Sequence, residues 1–122
     1  MADSVDHPAH YTDRGIGYEC IDLTQFQGFC VGNAMKYLWR FRSKGKPLED
    51  LRKARWYAQR ASMMGAVVLL AYNSCECILS ALYESTTGFE RVAWQGFYSR
   101  DWRMVIEALD RMIERLENGE EI

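Results

Sequence analysis

Basic and aromatic side chains recur at helical spacing in two neighbouring stretches of this sequence. The first stretch carries Asn33, Lys36, Tyr37, Arg40 and Lys44. The second stretch carries Asp50, Lys53, Tyr57 and Arg60. Side chains three or four residues apart share one face of a helix. Each stretch therefore predicts a helix with a polar face that bears lysine, tyrosine and arginine.

These residue types can hold a phosphorylated ligand. Arginine presents a planar fork to two phosphate oxygens, and lysine presents a mobile point charge. Asn33 could hydrogen-bond a base edge or a ribose hydroxyl, and stacking on aromatic rings contributes roughly 1–3 kcal/mol per base. The rings that could stack in this way are Tyr11, Tyr37, Trp39, Trp56 and Tyr57. A solvated basic face with its rings packed in the core is the alternative interpretation.

Metal binding is a weaker hypothesis. His7 and His10 could form a site with Glu19 or Asp22, but this spacing matches no standard zinc ligand set. Asp22 and Asp50 could hold Mg²⁺ beside a phosphate, yet single carboxylates more often cap helices or form ion pairs. The sequence therefore predicts no metal site and no cofactor, and Mg²⁺ is required only if the protein is a kinase.

Catalytic motifs are missing from the sequence. It has no GxxxxGK[ST] loop to cradle phosphates, and no Ser-His-Asp or Cys-His arrangement stands out. A kinase must hold two nucleotides and a metal in line, whereas one helix pair supplies the contacts for one ligand more readily. We therefore predict no catalytic residue, and binding without turnover is favoured.

Hydrophobic periodicity and breaker residues predict the elements that position these side chains. An irregular arm over 1–18 precedes them, and the stretch from Thr86 to Tyr98 is predicted as a loop because it contains two glycines. The predicted helices are a short one within 19–27, then 29–42, 47–63 and 66–85, and a last helix capped by Ser99 that ends near Asn118 and Gly119. The short turn between 42 and 47 makes the second and third helices antiparallel neighbours.

The predicted fold class is all-α. It is a small helical bundle with an irregular N-terminal arm, in a single domain over 1–122. In this domain 5–60 forms the basic and aromatic helix pair, and 61–122 supplies core and contact surface. The stretch 66–85 is apolar around most of its circumference, so the sequence predicts that it is buried. Because a chain of 122 residues cannot easily wrap such a helix, we expect a homo-oligomer formed through this helix and the last one.

Charge is distributed unevenly along the chain. The net charge is −2, but 36–60 carries +7 between acidic flanks of −4 and −5. Such a local positive segment suits a small phosphorylated ligand better than a long nucleic acid, which the flanks would repel. Residues 1–14 are polar and acidic, with no signal-peptide pattern. Four cysteines without CxxC spacing indicate buried thiols in a reducing cytosol, and the polar centre of 65–83 argues against a membrane span.

Several motifs occur together in a recognisable order. They are His7-Pro8-Ala9-His10-Tyr11, Glu19-Cys20-Ile21-Asp22, Gly32 to Arg40, Lys44-Gly45 and Asp50 to Tyr57. This order resembles a widespread phage domain family labelled nucleotide kinase-like or SaV-like, to which a nucleotide kinase of lytic podophages is related. The resemblance covers about 5–60 and implies a phage origin, a helical domain and a role with nucleotides. After residue 62 nothing resembles that kinase.

Together, the two polar faces and the resemblance predict one set of nucleotide-binding residues. They are His7, His10, Tyr11, Asn33, Lys36, Tyr37, Arg40, Lys44, Lys53, Tyr57 and Arg60. The leading hypothesis is a phage nucleotide-binding protein in the host cytoplasm that sequesters an immune signalling nucleotide, such as a cyclic dinucleotide or an ADP-ribose derivative. The alternatives are a nucleoside monophosphate kinase without a P-loop and a protein-interaction inhibitor of a host factor.

Overall fold

The computed structural model of the chain describes residues 14–71 and 73–122. The described residues form six helices and no strands. The helices are α1 (Cys20–Thr24), α2 (Phe29–Arg40), α3 (Pro47–Met63), α4 (Asn73–Ser85), α5 (Gly88–Tyr98) and α6 (Trp102–Glu117). The all-α prediction is confirmed for this part of the chain. The predicted N-terminal arm lies largely outside the described residues, and so do His7, His10 and Tyr11.

Helices α2 and α3 form an antiparallel pair, as the short turn between them predicts. Gly45 has φ of +80°, a left-handed conformation that suits glycine and ends the turn after α2. Pro47 begins α3 at a position where proline is tolerated, and Glu49 and Asp50 lie in its first turn, where the helix dipole favours acids. The bounds predicted for α3 are confirmed, whereas α2 ends at Arg40, two residues earlier than expected.

The core joins both halves of the chain. Helix α3 packs against α2 and α6, α6 also packs against α5, and α5 packs against α4, while α1 contacts both α2 and α4. Ala54, Ala58 and Ala61 are fully buried on α3, and such small side chains let helix backbones approach closely. At the surface, Arg52 pairs with Glu117 and Arg55 with Asp110, at 2.7 and 2.8 Å, across α3 and α6.

The helix predicted over 66–85 is wrong in its first third, because α4 begins only at Asn73. Gly65 ends α3 with φ of +67°. The backbone that follows is held by side chains instead of helical hydrogen bonds. Trp102 Nε1 donates to the Ala66 carbonyl at 2.8 Å, and Arg100 Nε donates to the Val68 carbonyl at 2.9 Å. These long-range partners leave no local signal in the sequence.

The loop predicted from Thr86 to Tyr98 is also wrong, since α5 occupies Gly88–Tyr98. Gly96 is buried within this helix, where a Cβ atom would lie 2.7 Å from Cγ2 and 2.9 Å from the backbone nitrogen of Val105. This glycine therefore permits close packing of α5 on α6. Ser99 follows α5, and Asp101 caps α6 by accepting a 3.0 Å hydrogen bond from the Met104 nitrogen. The end predicted near Asn118 is confirmed.

The sequence predicted an oligomer because 66–85 is apolar around most of its circumference, but the helix that forms there, α4, is covered differently. Its inner side chains Cys75, Ile78 and Leu82 are fully buried, and α1 and α5 of the same chain pack against this helix. Its outer positions Glu76 and Ser80 are exposed. The helix is therefore amphipathic and is covered without a second copy, so the homo-oligomer stays a prediction. Among the described helices, none combines the length and apolarity needed to cross a membrane.

Candidate functional site

The ring of Tyr37 is the centre of the basic face of α2 and α3. Three cationic groups lie close to its centroid: Lys36 Nζ at 4.2 Å, Arg40 Cζ at 4.8 Å and Lys53 Nζ at 5.4 Å. Cations within about 6 Å of an aromatic ring are attracted to its electron-rich face. The two polar faces predicted from the sequence therefore converge in space. We call Lys36, Tyr37, Arg40, Lys53 and Tyr57 the Tyr37 cluster.

An aromatic surface continues from this cluster toward solvent. Tyr57 stacks on Tyr37 with centroids 5.9 Å apart and planes only 8° apart. Phe29 and Trp56 meet Tyr57 edge-on, at 5.9 and 5.0 Å. Phe29 is 75% exposed and Trp56 is 59% exposed. Large rings this open to water are available to stack on a planar ligand.

Asp50 lies beneath the cations and is buried, with 2% of its surface exposed. Its Oδ1 forms an ion pair with Arg40 Nη2 at 3.3 Å. Its Oδ2 is buried without a hydrogen-bond partner among the described residues. Asp50 thus acts as the ion-pair partner that the sequence offered as the alternative to a Mg²⁺ ligand. It holds the Arg40 guanidinium beside the ring of Tyr37.

Glu49 partly balances the charge at the outer edge of the cluster. It accepts a 3.1 Å contact from Lys53 Nζ. This hydrogen bond lowers the pKa of Glu49 and raises the pKa of Lys53, so both groups stay ionised at neutral pH. Both side chains are exposed, and such a pair contributes little to stability. Lys53 can therefore exchange Glu49 for an anionic ligand at small cost.

The remaining predicted residues lie around the cluster or away from it. Asn33 Nδ2 donates to the Phe29 carbonyl at 2.8 Å, so its amide is engaged within α2. Asn33 and Lys36 also line a shallow cavity of about 190 Å³. Lys44 is exposed in the turn after α2, and Arg60 is exposed in the last turn of α3. Neither forms a described contact with the Tyr37 ring.

One other expectation is corrected, and Asp22 takes the capping role that the sequence favoured over metal binding. Trp39 is only 2% exposed, so its predicted role as a ring that stacks on a base is wrong. Asp22 Oδ2 accepts a 2.8 Å hydrogen bond from the backbone nitrogen of Glu19 and caps α1. The residues that the structure describes contain no cluster of ligands able to hold a metal ion.

The sequence did not reveal a second charged cluster around Glu90, which is buried on α5. Arg14 Nη2 lies 2.7 Å from Glu90 Oε2, and Arg42 Nη2 lies 2.9 Å from Oε1. Trp94 Nε1 also donates to Oε2 at 3.3 Å. Arg14 precedes α1 but donates to the Trp39 and Leu38 carbonyls at the C-terminal end of α2, and Arg42 follows that same end. Glu90 falls in a stretch predicted as loop. No periodic pattern therefore joins them.

The cysteines differ in exposure, although the sequence suggested that all are buried. Cys20 and Cys75 are buried, but Cys77 is exposed. Burial raises the pKa of the Cys20 thiol to about 12 and also raises that of Cys75. Since the thiolate is the reactive form, we expect iodoacetamide at pH 8 to label Cys77 in the folded protein and to spare Cys20 and Cys75. Mass spectrometry of peptides measures this, and labelling of Cys20 as fast as Cys77 would contradict it.

Comparison with known protein families gives one match, and it covers the N-terminal part of the chain. The model of a family described as a protein of unknown function, DUF3310, matches residues 5–59. The match includes every residue of the Tyr37 cluster, covers less than half of the chain and ends within α3. No curated protein and no solved structure matches the chain.

Proposed function

We propose that this protein binds a nucleotide at the Tyr37 cluster. The single observation that carries the proposal is the convergence of Lys36, Arg40 and Lys53 on one tyrosine ring that is itself stacked on Tyr57. A run of lysines on a purely solvated face would spread apart to reduce repulsion. Here three cations share one ring, and the described carboxylates of Asp50 and Glu49 pair with Arg40 and Lys53.

The order of groups along this surface matches the order of groups in a nucleotide. The cations surround Tyr37, Tyr57 follows, and the open rings of Phe29 and Trp56 come next. In the proposed pose, phosphates contact Lys36 and Lys53, and the base stacks on Phe29 or Trp56. Charge-assisted hydrogen bonds hold the phosphates, and ring stacking holds the base.

Binding without turnover is the simpler function for this arrangement. The cluster offers anion contacts and rings, while its carboxylates Glu49 and Asp50 already pair with Lys53 and Arg40. The phage origin that the resemblance implies supports sequestration of a host signalling nucleotide during infection. The same resemblance makes a nucleoside monophosphate kinase the enzymatic alternative.

A thermal-shift screen against mononucleotides, cyclic dinucleotides and ADP-ribose tests the proposal. A ligand at 100 times its dissociation constant stabilises the folded state by about 2.7 kcal/mol, which is a clear rise in melting temperature. We expect Lys53→Ala to weaken binding about tenfold, because it removes a charge-assisted contact. Arg103→Ala is the matched control, since this exposed cation on α6 pairs only with Glu107 among the described residues. Equal affinity in both variants, or no response to any nucleotide, would refute the proposal.

The fate of the bound nucleotide separates sequestration from catalysis. A sequestering protein releases the ligand chemically intact when it is heated, which chromatography of the supernatant detects. Transfer of phosphate from ATP to a nucleoside monophosphate, lost in Lys36→Ala, would establish the kinase instead. In that case the proposed binding site at the Tyr37 cluster would be correct, and only the prediction of binding without turnover would be wrong.

A protein-interaction inhibitor is the second candidate function, and exposed apolar side chains favour it. Trp56 and Met63 on α3 and Met64 directly after it have 59%, 69% and 65% of their surfaces exposed. Exposed apolar patches mark interaction sites when they are contiguous. Co-purification of one host protein that Met63→Lys releases, with no response to nucleotides, would favour this function over nucleotide binding.

A further inference from the structure

A polar cavity of about 360 Å³ lies beside the C-terminal end of α2. It is lined by Arg14, Trp39, Arg42, Thr87 and Glu90, with three further hydroxyl-bearing residues, and none of the predicted nucleotide-binding residues contributes to it. Its volume falls at the lower end of the range for small-molecule sites. It could hold a small metabolite but not a dinucleotide.

The charged side chains that line this cavity are two arginines and one glutamate. Two guanidinium groups, of Arg14 and Arg42, share the single carboxylate of Glu90. Both oxygens of Glu90 already accept hydrogen bonds, from Arg42 and from Trp94. Arg42 also donates to the backbone oxygen of Ile122 and keeps half of its side chain exposed. Arginine has five N–H donors, so Arg42 retains donors for an incoming anion.

Two sets of N–H donors at the cavity lack acceptors. Helix α5 begins beside it at Gly88, and Thr87 makes no side-chain cap hydrogen bond there. The first N–H groups of a helix have no intrahelical partners and attract anions. Independently, Trp39 lines the cavity, and its buried Nε1 has no acceptor among the described residues. A buried N–H without an acceptor costs about 1–3 kcal/mol.

We propose that this cavity is a second binding site that takes the oxyanion group of a small molecule, either a phosphate monoester or a carboxylate. Arg42 and the N-terminus of α5 supply the charge, and Thr87 and the Trp39 indole supply neutral hydrogen bonds. The site is independent of the Tyr37 cluster and does not require that cluster to bind nucleotides.

The four tryptophan indoles allow the two sites to be followed separately by nitrogen-15 NMR of the whole chain. Trp39 reports on the cavity, Trp56 on the surface beside the Tyr37 cluster, and Trp102, bonded to the Ala66 carbonyl, on folding. We titrate inorganic phosphate and, separately, acetate at constant ionic strength. The Trp39 Nε1–H resonance should move saturably to lower field as it gains an acceptor, while Trp102 stays in place. The anion that saturates at lower concentration identifies the preferred group.

Three variants decide the outcome. Arg42→Lys keeps the positive charge but loses the planar guanidinium group that binds two oxygens at once. It should weaken the anion affinity measured at the Trp39 resonance about tenfold. Thr87→Val removes one hydroxyl at nearly constant shape and should weaken the anion affinity by a smaller factor. Lys53→Ala should leave it unchanged. A Trp39 resonance that neither anion moves would overturn the proposal. An equal response in Arg42→Lys, or loss of the response in Lys53→Ala, would overturn it as well.

Discussion

Glu90→Ala should lower the free energy of unfolding by about 3–5 kcal/mol, the range for removing one partner of a buried ion pair. Glu90 is 4% exposed and pairs with Arg14 and Arg42. Its loss leaves the largely buried Arg14 guanidinium without its carboxylate and Trp94 Nε1 without its acceptor. Urea denaturation followed by circular dichroism measures the change.

Glu107→Ala is the control for this prediction. Glu107 pairs with Arg103 on the surface of α6, where both side chains are mostly exposed. Surface pairs of this kind contribute at most about 1 kcal/mol, so this variant should unfold almost like the original chain. If the Glu90 and Glu107 variants lose the same stability, the buried cluster does not hold α5 against the end of α2.

Arg40→Ala should have the second large effect, on stability and on nucleotide affinity together. It leaves Asp50, which is 2% exposed, without its cationic partner, and an unpaired buried charge costs about 3–5 kcal/mol. It also removes one of the three cations beside Tyr37. Denaturation and isothermal titration calorimetry with the best ligand of the screen measure the two losses.

The double variant Arg40→Ala/Asp50→Ala separates these two effects. Removing the buried carboxylate should recover part of the stability, because residues in contact couple by about 0.5–3 kcal/mol. It should not recover affinity, because the cation is still missing. Recovery of both would mean that Arg40 acts only by supporting the fold. Recovery of neither would mean that the unpaired Asp50 carboxylate is not the cause of the lost stability.

Local sequence patterns predicted α2, α3 and the convergence of their side chains. Residues 36, 37, 40, 53 and 57 share faces of helices whose periodicity, proline and glycine signals are strong. The short connection over 41–46 leaves these helices little choice except to pack side by side. The placement of Lys53 beside Tyr37 follows from these local rules.

The second half could not be predicted in the same way. The backbone of 66–70 departs from helix because Trp102, Arg100 and Gln27 satisfy its polar groups from distant positions. Gly96 suggested a loop, yet it lies inside α5 because Val105 leaves no room for a Cβ atom. Both outcomes depend on partners that are remote in sequence or in another helix.

The amino-acid sequence by itself determined the helical class, the antiparallel pair α2 and α3, and the set of cations and rings that this pair presents. Only the tertiary structure decided that Trp39 is buried, that Asp50 supports Arg40, and that Arg14, Arg42 and Glu90 enclose a separate cavity. The physical reason is the separation in sequence of the residues that contact each other. Helical spacing acts over three or four residues, whereas Glu90 meets Arg42 across 48 positions, and no periodic pattern records such a contact.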